Sequence, residues 1–274
     1  MFKKYGVLGI LLMIFVQINF FLRIQPFLDW SFPILWMGYV LVIDALVYKL
    51  RKNSLISNRF PTFLGILISS SLIWWVFEFI NLSIGNWVYI GLEEFGNLKI
   101  PFLFLCFSLM LPAFFETYEL VKTINIFENK RLHKKHKITK RFLFSMIGIG
   151  MLSFVLPFIF PKYTFFLVWG SFFFILDPIN YVHKQPSIIG HIKNGDFKTV
   201  YSLLLAGIVM GFLWEYWNFW MPVKWTYDVP FVGFLKIFEM PLFGYIGYLP
   251  FSFEVYAMYW FLRSLFIHRE HILE

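Results

Sequence analysis

Residues 62–82 read TFLGILISSSLIWWVFEFINL. About 20 helical residues reach across the roughly 30 Å of a bilayer's hydrocarbon core, and this stretch supplies that length with one charged side chain, Glu78. Its apolar residues are continuous, without the two-residue alternation of a barrel strand, so it reads as a membrane-spanning helix. The same texture recurs at 5–22, 33–50, 100–121, 142–160, 164–182, 200–221 and 241–261. The last of these is interrupted by Pro241 and Pro250. The 274 residues are 59% hydrophobic and 15% charged, against about 45–50% and about 25% for a soluble domain. Too little polar surface remains to cover a water-facing globule. The expected fold class is all-α, a polytopic helical membrane protein of about eight spans. A single cysteine, Cys106, excludes a disulfide framework and a Cys-based metal site.

Charge gives the sidedness. With eight spans, five basic residues (Arg23, Lys99, Lys162, Lys224, Lys236) fall on one face and the other nineteen of 24 on the opposite face, with both termini. That asymmetry predicts cytoplasmic termini in a multi-pass protein of the cell (inner) membrane. It also accounts for the net charge of +8 without nucleic acid as a partner. Lys3 and Lys4 before the first apolar run imitate a signal peptide, but no small-residue cleavage site follows at 22–25, so an uncleaved first span is expected.

The chain repeats itself. Trp36, Asp44, Tyr48 and Ser54 match Trp169, Asp177, Tyr181 and Ser187 at a shift of 133. Thr62, Glu78 and Asn81 match Thr199, Glu215 and Asn218 at 137; Trp87, Tyr89, Pro112, Glu116 and Tyr118 match Trp225, Tyr227, Pro250, Glu254 and Tyr256 at 138. Ordered matches among polar and Trp residues indicate two four-span copies, residues 1–137 and 138–274, forming one integral membrane domain. An even number of spans gives both copies the same orientation. Parallel repeats of this kind place a shared site at the interface between copies.

Six acids accompany the spans: Asp44, Glu78, Glu116, Asp177, Glu215 and Glu254. A charge at the bilayer centre costs about 2.5–3.5 kcal/mol, and no Lys or Arg lies mid-span to pair with them. They must be protonated, hydrogen-bonded or bound to a cation. Glu116 and Glu254 are the candidate proton donors, with Glu78 and Glu215 stabilising positive charge or accepting a proton. Asn81 and Asn218, three residues after Glu78 and Glu215, share their helix face and are placed to hold the carboxylates. Asp44 and Asp177 line the site or face a cytoplasmic water pocket. Trp87, Tyr89, Trp225 and Tyr227 either line the site or anchor the interface, where Trp and Tyr are enriched. Carboxylate and amide oxygens would also suit Mg²⁺, but no tight Asp-rich cluster accompanies them. All six histidines lie outside the spans, so no intramembrane His–zinc site is expected; no cofactor is expected either. The 38 Phe, 11 Trp and 14 Tyr can offer π-faces to a polyene or a carbocation.

Glu78-Phe79-Ile80-Asn81, Trp87-Val88-Tyr89 and Pro112-Ala113-Phe114-Phe115-Glu116, with Glu215-Tyr216-Trp217-Asn218, Trp225-Thr226-Tyr227 and Pro250-Phe251-Ser252-Phe253-Glu254, form a two-repeat layout. It resembles the membrane-type lycopene cyclases. The resemblance implies carotenoid biosynthesis, by acid-catalysed ring closure of a linear carotenoid within a helical bundle. Here a lone Glu stands four residues after the proline, where the family carries a pair of acids. Residues 211–230 and 238–256 also look like an uncharacterised multi-pass family of bacterial membrane proteins, which implies no activity.

Three functional classes follow. The first is an intramembrane enzyme acting by acid–base chemistry on an apolar isoprenoid or other membrane lipid. The second is a proton-coupled transporter or lipid-handling carrier, in which the acids form a relay. The third is a non-catalytic membrane protein.

Overall fold

The computed structural model describes residues 1–127, 137–227, 230–231 and 233–266. His133, His136, His268 and His271 lie outside the described residues. In chain order the first elements are α1 (Lys4–Leu22), α2 (Ser31–Arg51), α3 (Leu55–Asn58), α4 (Phe60–Ile84), β1 (Trp87–Ile90), α5 (Lys99–Ser108) and α6 (Met110–Ile124). There follow α7 (Lys140–Ile159), α8 (Pro161–Thr164), α9 (Val168–Val182), α10 (Ile188–Lys193), α11 (Phe197–Trp220) and β2 (Lys224–Tyr227). Last come β3 (Lys236–Ile237), β4 (Met240–Pro241) and α12 (Tyr248–Phe266). The protein is helical, with only two short two-stranded ribbons, β1–β2 and β3–β4, among the described residues.

Among the described residues, seven stretches are long and apolar enough to cross a membrane: Lys4–Leu22, Ser31–Arg51, Phe60–Ile84, Leu92–Ile124, Lys140–Ile159, Pro161–Val182 and Phe197–Trp220. They match seven of the expected spans. The stretch expected at 241–261 instead begins with β4 and a 3-10 turn, Leu242–Gly247, before α12. Ser252, Glu254, Tyr256, Tyr259 and Arg263 make α12 more polar than the seven. Outward-facing apolar side chains are abundant on α1 and α7: Leu11 is 58% exposed, Phe144 73% and Leu152 62%. A surface of that kind suits lipid rather than water.

The chain forms two compact units, Met1–Asn125 with Leu205–Tyr245, and Ile126–Leu204 with Ile246–Glu274. In the first, α1 and α2 meet through glycine. A Cβ added to Gly9 would sit 2.5 Å from the Gly38 carbonyl oxygen, and one on Gly38 would sit 2.9 Å from that of Gly9. Small residues let helix backbones approach so closely. Arg23 ends α1 in the left-handed region, while the Asn19 side chain accepts from the Ile24 N–H (2.7 Å) and donates to the Ile24 carbonyl (3.1 Å). Pro112 has no N–H to continue the helix, and the stretch breaks at Leu109, between α5 and α6. Ser70 of α4 repairs the break, donating to the Phe107 carbonyl and accepting from the Leu111 N–H at 2.9 Å. A hydroxyl from a neighbouring helix is a usual way to satisfy backbone freed by proline in an apolar setting.

In the second unit, α9 packs against α7 and α12. Trp169 leaves helical geometry (ψ 30°) near the start of α9, and α12 buries Glu254, Val255, Ala257, Tyr259 and Trp260. The side chain of Asn180 in α9 donates to the Ala257 carbonyl at 2.9 Å.

Candidate functional site

Gly85 closes α4 in the left-handed conformation (φ +67°) that glycine adopts freely, and the chain turns out into β1. Asn81 holds the turn: its Nδ2 donates to the Trp87 carbonyl (2.8 Å) and its Oδ1 accepts from the Trp87 N–H (3.2 Å). Asn218 makes the same pair of bonds to Trp225, at 2.8 and 3.0 Å. The asparagines thus serve the strands, not the neighbouring carboxylates. β1 and β2 pair antiparallel, with Trp87 opposite Tyr227, Val88 opposite Thr226 and Tyr89 opposite Trp225.

This ribbon delivers phenols to the carboxylates. Tyr89 donates to Glu78 at 2.6 Å and the Trp87 indole N–H approaches the same oxygen at 3.3 Å. Tyr227 donates to Glu215 at 2.7 Å, and the Trp225 indole N–H donates to Tyr227 at 2.7 Å. Glu78, Asn81, Trp87 and Tyr89 therefore form one cluster, and Glu215, Asn218, Trp225 and Tyr227 another, joined through the ribbon. The two Trp-x-Tyr segments are structural partners of the carboxylates as well as residues beside a span end.

Asp44 and Asp177 are fully buried and occupied by helix N-termini. Asp44 accepts from the Ile56 N–H (2.8 Å) and Ser54 Oγ (2.8 Å) at the start of α3, and from the Tyr5 hydroxyl. Asp177 accepts from the Ile188 and Ile189 N–H groups at 2.7 and 2.9 Å at the start of α10. Each supplies acceptors for otherwise unsatisfied first-turn donors. Ser54 and Ser187, matched in sequence, are the N-cap residues of these helices.

Glu116 and Glu254 are both 0% exposed. Glu254 accepts from the Phe172 N–H at 2.9 Å, in the turn after the distortion of α9, and its other oxygen has no hydrogen-bond partner. Neither oxygen of Glu116 has one. The charged groups that act on Glu116 are Asp44, Glu119 and Arg59. Glu119 pairs with both nearby arginines, Arg51 and, at 3.5 Å, Arg59. Tyr39, which senses the Glu116 carboxylate, is hydrogen-bonded to Thr117 at 2.7 Å. Its ring lies 5.6 Å from Trp36 and 5.7 Å from Trp217. Trp36 and Trp217 are 4.7 Å apart, Trp74 stacks on Trp214 at 4.9 Å, and Trp214 lies 5.4 Å from Trp225. An aromatic cluster therefore extends from Tyr39, beside Glu116, to Trp225 of the ribbon.

One polar group escaped the sequence reading. His191 Nδ1 lies 2.9 Å from Asp196 and its Nε2 lies 3.0 Å from the Tyr256 hydroxyl. Burial pushes the Asp196 carboxyl up, but hydrogen bonds from His191, the Thr199 hydroxyl and the Thr199 N–H outweigh it and hold the group well below the usual carboxylate range. The available signal was Asn194-Gly195-Asp196, the insertion that lengthens one loop of the second copy. Among the described residues, no three His, Cys, Asp or Glu side chains gather as a metal site. No family model, curated protein or solved structure matches the chain.

Proposed function

We propose that this protein is an intramembrane acid–base enzyme acting on an apolar isoprenoid, such as a linear carotenoid, or a similar membrane lipid, with Glu116 as the proton donor. The observation that carries this reading is a fully buried carboxyl group with no hydrogen-bond partner on either oxygen. Unsatisfied buried polar groups are rare, and catalysis is one of the few reasons to keep one. Protonation of a carbon–carbon double bond would leave a carbocation, which the neighbouring aromatic faces attract. Loss of a proton from the rearranged cation to Glu78 or Glu215, or back to Glu116, would close an isomerisation that needs no other reactant.

The wider reading has α12 as an eighth crossing, both termini in the cytoplasm and two parallel four-span copies in a cell membrane. It is supported by the equivalent partners of Asn81 and Asn218 and of Asp44 and Asp177. Expression in a lycopene-accumulating host, followed by pigment chromatography, tests the substrate class: cyclised product from the unaltered protein and none from Glu116→Gln is expected. Absence of cyclised product with the protein verified in the membrane overturns it.

One observation favours a proton-coupled carrier as the second reading: hydroxyl groups of Ser57 and Tyr5 connect to Asp44 in the same unit as Glu116. Vesicles showing pH-gradient-driven uptake of an apolar solute, abolished in Glu116→Gln, would select it.

A further inference from the structure

We propose that the β3–β4 hairpin, with the 3-10 turn after it, is a membrane-embedded element seated where lipid headgroups meet acyl chains, its outer face covered by lipid. From Phe234 to Gly247 the only charged residues are Lys236 and Glu239. Phe234 is 77% exposed and Phe243 55%, with Leu235 and Ile237 exposed beside them. Where the hairpin is fixed decides what covers that face. The Phe238 ring packs on Phe212, Tyr216 and Phe219 of α11, with centroids 5.8, 5.5 and 5.7 Å away. Helix α11 is one of the seven stretches fit to cross a membrane, and Phe212 and Phe219 lie on its exposed side. From Phe212 to the helix end at Trp220 is about 12 Å. The hairpin therefore lies along the last part of a lipid-facing surface, not beyond its end. Its own apolar face continues that surface, and the same lipid covers both.

The backbone and the charges permit this depth. An irregular segment can leave water only if its polar groups find partners within the protein. Lys236 pairs with Pro241 and Ile237 with Met240, the Leu242 N–H donates to the Leu235 carbonyl at 2.8 Å, and the Tyr245 hydroxyl donates to the Ile237 carbonyl at 3.0 Å. Pro241 brings no N–H of its own. Glu239 is paired with Lys224 of β2, and the long stem of Lys236 can carry its ammonium group out to the headgroups. Phe238 opens the two-residue loop of the hairpin at φ +58°, where glycine or asparagine is usual. A bulky residue keeps such a conformation only where its surroundings over-determine it. Here the three rings of α11 do so, and Phe238 is the anchor of the hairpin.

Spin labels on the full-length protein in phospholipid vesicles test this. In a Cys106→Ala background, Phe234→Cys and Phe243→Cys are labelled one at a time. Power saturation then compares collisions with oxygen, which concentrates in lipid, against collisions with a water-soluble nickel chelate. At both positions the oxygen-to-nickel ratio should exceed that at Lys52→Cys, an exposed site at the end of α2, and approach that at Leu152→Cys on the exposed side of α7. Adding Phe238→Gly, which suits the loop conformation but removes the anchor, should shift both ratios toward the Lys52→Cys value. Ratios at Phe234→Cys and Phe243→Cys no higher than at Lys52→Cys would overturn the proposal, as would no shift on adding Phe238→Gly. Exclusion of both reagents, with spin–spin broadening between labels, would overturn it in favour of a second copy of the chain as the cover.

Discussion

Asn218 and Trp225 are bound to each other through a closed pair of hydrogen bonds, the side-chain amide donating to the Trp225 carbonyl at 2.8 Å and accepting from its N–H at 3.0 Å. Asn218 is fully buried. Replacing it with Ala leaves two backbone groups without partners, and each such loss costs about 1–3 kcal/mol. Thermal unfolding in detergent should therefore show Asn218→Ala as strongly destabilised. Asn81→Ala should be milder, because Asn81 is only half-buried. Equal effects would contradict this ranking.

The acids should separate by function. Glu116→Gln removes the proposed donor and should lower turnover by about 10²–10⁴-fold. Tyr89→Phe takes away only a hydroxyl that supports Glu78, and about a tenfold loss or less is expected. Initial rates of product formation, at matched protein levels, give the order.

Ser70→Ala tests the repair of the break between α5 and α6. It orphans the Phe107 carbonyl and the Leu111 N–H in a buried setting, so about 1–3 kcal/mol of stability should be lost. Ser70→Thr, which keeps the hydroxyl, should recover much of it if the extra methyl fits. Denaturant titration of the two variants side by side measures the difference.

Asp196 makes stability depend on pH in a defined direction. Its folded-state proton affinity is depressed, so its contribution is complete above the ordinary carboxylate value, about pH 4. It disappears as pH falls through the lower folded-state value. Asp196→Asn should be less stable than the unaltered protein at neutral pH, and the gap should close under acid. With 35% of the side chain exposed, solvent screening holds the gap to about 1 kcal/mol or less. A gap that widens on acidification would refute the assignment.

The apolar runs made seven spans legible because helix length and lipid compatibility are local properties of sequence. The repeat also marked the residues that recur as paired structural devices: Asp44 with Ser54, Asp177 with Ser187, Asn81 with Trp87 and Asn218 with Trp225. What those devices do was not legible, since a carboxylate that caps a helix ten residues away has the same letter as one that meets a substrate. The β1–β2 pairing was hidden for a different reason. Four-residue strands separated by more than a hundred residues leave no periodicity to read. His191, Asp196 and Tyr256 come together only through tertiary packing. Glu116 was named from its depth in an apolar run, but its lack of hydrogen bonds is a property of its neighbours.

The ribbon also orders events during synthesis. While the ribosome is still making the middle of the chain, Trp87–Ile90 has already been synthesised and waits with its backbone edge bare. Its mate, Lys224–Tyr227, is translated more than a hundred residues later. Until then Tyr89 lacks the mate that fixes its strand, so assembly of the first Glu–Tyr pair awaits nearly the whole polypeptide, and a chain cut short after α6 would offer that naked strand to proteolysis or to a wrong neighbour.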